Sequence, residues 1–163
     1  MRVRVSEASR LVAALALSAL AAGCAPSLIP GTEVEDTAVN RKLLAEIERY
    51  RRAVEHRDAT AILAMVSPAY YDERGHPDDP SYHWDYPRLA KELPQRLSKV
   101  KDVRLDITVR RISVRDDKAR ASYYYTENYI ATLPSGELPE HESDLERMEF
   151  QRQGDRWLIT KGL

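Results

Sequence analysis

The feature that most constrains this chain is a change of hydrophobic period near Asp102. Upstream of it, apolar residues recur every three or four positions. Val39, Leu43, Leu44, Ile47, Tyr50 and Val54 form one face of an amphipathic helix from Thr37 to about Arg57, with Arg, Lys and Glu opposite. Asp36 or Thr37 can cap its start. Asp58 can cap a second helix that carries Ile62, Leu63 and Val66 and stops at Ser67-Pro68. Leu89, Leu93 and Leu97 place a third helix over about Tyr86 to Val100, in which Pro94 predicts a kink or two short pieces. Residues 70–85, between the second and third helices, are a loop dense in Pro, Asp and aromatic side chains.

Downstream of Asp102 the period is two. Val103, Leu105, Ile107 and Val109 alternate with polar neighbours, as in a half-buried strand. After Arg110-Arg111 the apolar phase slips by one, to Ile112 and Val114, which predicts a β-bulge and a bend. Asp116-Asp117 predicts a tight hairpin turn into a tyrosine-rich strand from Ala119 to Thr132. A loop through Pro134-Ser135-Gly136 then leads to a strand around Ser143–Gln153, and Gly154-Asp155 turns the chain into a last strand, Trp157–Lys161. Three helices followed by a long, curved antiparallel meander make an α+β fold with the helices on one face of the sheet.

The N-terminus is of a different kind. Arg2, Arg4 and Arg10 precede an uncharged apolar run, Leu11–Ala22, that is well short of the about 20 residues a membrane-spanning helix needs. The run ends in Leu20-Ala-Ala-Gly-Cys24, and Cys24 is the sole cysteine, so it has no disulfide to make. This ending resembles the lipobox of bacterial lipoproteins, with Ala21 where Leu is commonest. The resemblance implies cleavage before Cys24, acylation of that residue and attachment to the cell envelope. Ala25 after the cysteine implies the outer membrane in preference to the inner. The expected organisation is a signal peptide over 1–23, a lipidated cysteine and flexible tether over 24–36, and one domain over 37–163. Loss of residues 1–23 removes three arginines and one glutamate from 25 basic and 26 acidic side chains. The 22 basic and 25 acidic groups left, a net charge of −3, exclude the clustered basic excess typical of nucleic-acid binding.

The order of elements resembles the nuclear transport factor 2-like fold, the cone shared by ketosteroid isomerase and SnoaL-like enzymes. Three stretches carry the resemblance. They are Glu48-Arg-Tyr50-Arg-Arg-Ala-Val54-Glu-His-Arg-Asp58, the long bent strand hairpin, and the ending Gly154-Asp-Arg-Trp157-Leu-Ile159. Together they span about residues 37–163. The resemblance implies that Tyr50, eight residues before Asp58, stands where isomerase-like proteins place a tyrosine that donates to a developing oxyanion. It also puts Arg74 in the place of the family's catalytic aspartate, with Asp72 two residues earlier. A lone oxyanion donor without a general base is not a catalyst.

On the tyrosine-rich strand, Tyr123, Tyr125 and Tyr129 share one face with Glu127, while Tyr124 and Ile130 point the other way. A carboxyl held among tyrosines has a raised pKa and suits acid–base work, but the same stripe also serves plain sheet packing. Trp84 completes the candidate pocket of Tyr50, Tyr123, Tyr125, Glu127 and Tyr129. Asp72, Glu73, Asp78, Asp79 and Asp85 crowd the loop near His76 and His83, at spacings that fit no metal-binding pattern, so no metal or cofactor is expected. No catalytic residue is assigned. The leading expectation is a non-catalytic envelope lipoprotein whose cone binds a small apolar ligand or a protein partner. The alternatives are a SnoaL- or isomerase-type enzyme using Tyr50 and Glu127, and a structural scaffold that dimerises through its sheet.

Overall fold

The computed structural model describes residues 27–163. Signal peptide and Cys24 lie outside them. Residues 27–36 of the expected tether do not. Residues 27–36 close into a small turn in which Asp36 N–H donates to Ser27 O and Ile29 N–H donates to Val34 O. Val34 is 2% exposed and joins the main core, so this stretch is packed domain rather than free linker.

Helix α1 (Ala38–Glu55) opens at Thr37, whose hydroxyl accepts from Asn40 N–H at 3.1 Å. Helix α2 (Ala59–Leu63) is capped by Asp58, as its sequence predicts, but ends three residues before Val66. The reason lies in the sheet. Met65 O and Ser67 N–H bond Ile159, so the chain after α2 is drawn out as a short parallel partner of the last strand. Strands β1 (Tyr71–Asp72) and β2 (Trp84–Asp85) pair with each other and fold the expected loop, with one 3₁₀ turn at Pro80–Tyr82. Helix α3 (Tyr86–Leu97) runs unbroken through Pro94. Its proline is exposed, and the only backbone bond it removes is the one to the Ala90 carbonyl, one turn earlier.

The main sheet has the order β3 (Val100–Arg115), β4 (Lys118–Leu133), β5 (Gly136–Gln153) and β6 (Arg156–Lys161), all antiparallel. The slip foreseen at Arg110-Arg111 is a bulge between Val109 and Arg111, and a second lies between Lys101 and Arg104. Two-residue turns join β3 to β4 and β4 to β5. Strand β5 therefore begins at Gly136, seven residues earlier than its apolar alternation suggests. Residues 136–147 pair with β4 alone, because β6 covers only Glu149–Gln153. Charged side chains along this free edge discourage pairing with other chains.

Helix α1 lies against β3. Glu55 accepts from Leu105 N–H at 3.1 Å and Arg51 donates to Leu105 O at 3.4 Å, which satisfies backbone groups at the sheet edge. Beneath them Leu43, Ile47, Val54, Leu105, Val109, Met148, Phe150 and Ile159 form one continuous core.

Candidate functional site

Antiparallel register decides which side chains share the concave face. Directly opposed residues point the same way. Val109, Tyr123 and Glu146 make one rung, Ile107, Tyr125 and Asp144 the next, and Leu105, Glu127 and Glu142 the third. Tyr50 and Val54 from α1 face these rungs. Residues 72–75 and the C-terminal Lys161–Leu163 complete the wall of a cavity of about 750 Å³. The cone is open rather than filled by its own side chains.

Of the residues singled out in the sequence, Tyr50, Tyr123, Tyr125 and Glu127 line this space together. Tyr129 and Trp84 do not. Tyr129 is on the right face of β4 but lies one rung beyond Glu127, toward the hairpin tip opposite Glu140. Trp84 sits under the first turn of α3 and lines a separate cavity. Asp72 lines the cone without any shift of the loop, but both its oxygens are already engaged. Arg74 lines the cone too. Glu142 and Glu146 were missed in the sequence because β5 carries no apolar alternation over 136–147. The signal that finds them is the two-residue turn, which fixes the register with β4.

The expectation of an apolar void does not match this lining. Glu73 pairs with Lys161, and Glu149 with Arg120. Glu127, Glu142 and Glu146 have no ion-pair partner among the described residues. Burial, and then the charge of Glu142 directly opposite, push the Glu127 carboxyl above its ordinary range. Burial is also the first cause that raises the phenols of Tyr50, Tyr123 and Tyr125, with Glu127 adding to the shift at Tyr50. These phenols therefore stay protonated. Tyr123 is 6% exposed, yet its hydroxyl has no partner among the described residues.

A stability test follows from Glu127. Its folded pKa is raised, so the folded state holds a proton that the unfolded state releases at lower pH. The stabilisation is complete below the ordinary glutamate value of 4.5 and is lost as pH rises through the raised folded value. Glu127→Gln is expected to flatten that decline and to raise the melting temperature at pH 7 relative to wild type. Melting curves from pH 4 to 8 check this; a variant that melts lower than wild type at pH 7 contradicts the like-charge strain.

No family model matches the sequence, and no curated protein matches it. Solved structures do. A nuclear transport factor 2-like superfamily protein from Salmonella enterica is similar at 16% identity and a TM-score of 0.63, over 76% of this chain and 87% of that one. A ketosteroid isomerase-like protein from Erwinia carotovora is similar at 11% identity and a TM-score of 0.63, over 78% and 95%. A conserved protein from Planctomyces limnophilus reaches a TM-score of 0.65 at 12% identity, over 77% and 93%. The chain has the nuclear transport factor 2-like fold. At these identities the likeness establishes architecture, and the cone's own side chains must carry any argument about chemistry.

Proposed function

We propose that this domain is a receptor for a small organic cation, displayed at the cell envelope by a lipid on Cys24. The observation that carries the ligand class is the pair Glu127 and Glu142. Two carboxylates directly opposite each other, without a cation between them, destabilise a sheet. A ligand ammonium removes that repulsion, and the faces of Tyr123 and Tyr125 suit a cation with an apolar body. Leu105, Ile107 and Val54 offer apolar surface to that body, while the Tyr123 hydroxyl oxygen, without a partner among the described residues, can accept from an ammonium N–H. No helix among the described residues is long and apolar enough to cross a membrane, and the anchoring rests on the sequence around Cys24.

Matched ligand pairs test the reading. Primary and quaternary amines with an aromatic or aliphatic body are compared with their neutral acetylated and carboxylate counterparts by thermal shift and calorimetry. Amines are expected to raise the melting temperature in proportion to the logarithm of concentration, and the neutral and acidic partners to leave it unchanged. Tyr123→Phe is expected to weaken the tightest primary amine roughly tenfold, the worth of one hydrogen bond near charge, with little change in stability, and to leave quaternary amines, which have no N–H, unaffected. Preference for the neutral partners contradicts the proposal.

A second reading is favoured by one fact: Tyr50 and the raised carboxyl of Glu127 face the same cavity. A phenol donor and a proton-accepting carboxylate are the minimum for moving a proton next to a carbonyl. If an amine that binds is also turned over, Tyr50→Phe and Glu127→Gln must each lower turnover; a variant with unchanged rate removes that residue from the mechanism.

A further inference from the structure

The second cavity has the opposite sign. Trp84, 4% exposed, is surrounded by three guanidinium groups, those of Arg74 at 4.9 Å, Arg88 at 5.4 Å and Arg96 at 4.4 Å from its ring centroid. An indole has two faces, so three cations cannot each have one to themselves. All three lie near one centroid, hence within about one Debye length of each other at ordinary ionic strength, and they repel. None of them forms an ion pair among the described residues.

Their hydrogen bonds show what is left over. Arg88 is fixed by the carbonyls of Ser81 at 2.7 Å and His83 at 2.9 Å, and Arg74 reaches Leu163 O at 3.4 Å. The Arg96 fork and the Trp84 indole N–H have no partner among the described residues. His76 borders the same cavity, of about 500 Å³. Acids of this region are held elsewhere: Asp79 accepts from Ser81, and Asp85 caps α3 by accepting from Arg88 N–H. The folded chain thus gathers positive charge around a buried ring, and among the described residues no acidic side chain pairs with it.

We propose that this cavity is a phosphate site, taking a phosphoryl oxyanion between the forks of Arg74, Arg88 and Arg96 with the Trp84 N–H as a further donor. Planar guanidinium forks match the spacing of phosphate oxygens, and three of them offer more charge than a carboxylate neutralises. Arg74 also lines the cone, so an anion here withdraws that cation from the cone's wall. The site stands on its own observations and does not depend on the cone's ligand. Two sources present the same chemistry, a soluble phosphate compound and the phosphodiester of a lipid headgroup.

Calorimetry with inorganic phosphate on the full chain in non-ionic detergent is the test, against chloride at equal ionic strength. Phosphate is expected to bind and to raise the melting temperature, and Arg96→Gln to weaken it tenfold or more. Arg96 is exposed and makes no hydrogen bond that the fold requires, and Arg96→Lys, which keeps the charge but loses the fork, should fall between the two. The protein is then placed in phosphatidylcholine vesicles with or without phosphatidylglycerol, and the phosphate titration is repeated. Competition by phosphatidylglycerol assigns the site to a headgroup; an unchanged phosphate affinity assigns it to a soluble compound. Phosphate binding no tighter than chloride, with phosphatidylglycerol also without effect, overturns the proposal. So does an affinity that Arg96→Gln leaves unchanged.

Discussion

Replacing Cys24 by alanine is expected to move the protein from the membrane fraction to the soluble fraction almost completely. Each acyl chain contributes about 0.8 kcal/mol per buried CH₂, so two or three chains make dissociation negligible, and loss of the acceptor thiol removes all of them together. The chain offers little to replace them. No helix among the described residues can span a bilayer, and Cys24 is the sole cysteine of the sequence. Detergent phase partition of wild type and Cys24→Ala, with the intact mass of the mature N-terminus, checks the expectation. A wild-type protein without acyl mass, or a variant that stays with the membrane after its apolar run Leu11–Ala22 has been cleaved off, refutes the anchor while leaving both cavities untouched.

The parts of this protein that are legible in its sequence are those governed by periodicity. Leu43, Ile47 and Val54 recur at helical spacing and are buried; Leu105 and Val109 alternate along β3 and are buried. The bulge after Val109 is legible as well, because a one-residue slip moves every later side chain to the other face. The hairpin arm is not. Residues 136–147 face solvent or the cone on both sides and hold only Leu138 and Leu145 as large apolar residues, seven apart, so no apolar alternation marks them as a strand. They become a strand through β4, with which they pair from Leu133 opposite Gly136 down to Ser122 opposite Arg147.

The same limit explains the site. Tyr50, Tyr123, Tyr125 and Glu127 can be named from strand parity and from the fold resemblance. The carboxylates that give the cone its sign come from the arm that periodicity does not reveal. Trp84 illustrates the converse. Its large aromatic ring in a polar loop suggests a pocket, but the arginines that surround it come from a turn and from α3, far apart in the chain order of charges. Parity along one element is readable; convergence of separate elements requires their packing. The result is two cavities of opposite charge with Arg74 in the wall of each.

What closes the C-terminal end of the cone is a single carboxylate, and its loss is expected to destabilise the domain most. Asp72 is 6% exposed. One oxygen accepts from Arg74 N–H at 2.8 Å, and the other accepts from Gly162 N–H at 2.8 Å and from the Tyr70 hydroxyl at 3.4 Å. It thereby joins β1, the turn after it and the C-terminus. Asp72→Ala leaves one buried and two half-buried donors without partners, at about 1–3 kcal/mol each, so a loss of about 3–5 kcal/mol is expected. For a domain of this size that lowers the melting temperature by roughly 10 °C or more. Asp72→Asn does not rescue it, because donors face both oxygens and the amide must point its own N–H₂ at one of them. Gly162 is the other half of the latch. It has φ +92°, and a side-chain carbon there would meet the Arg147 carbonyl oxygen at 2.0 Å, so Gly162→Ala must displace the C-terminal residues. Since both changes break the same hydrogen bond, their effects should not add. The double variant is expected to melt close to the worse single variant and to lose amine binding with it, since Asp72, Gly162 and Leu163 all line the cone. Full additivity of the two changes would show that the C-terminus and the β1 turn are held independently, and that the cone's end is not one latch.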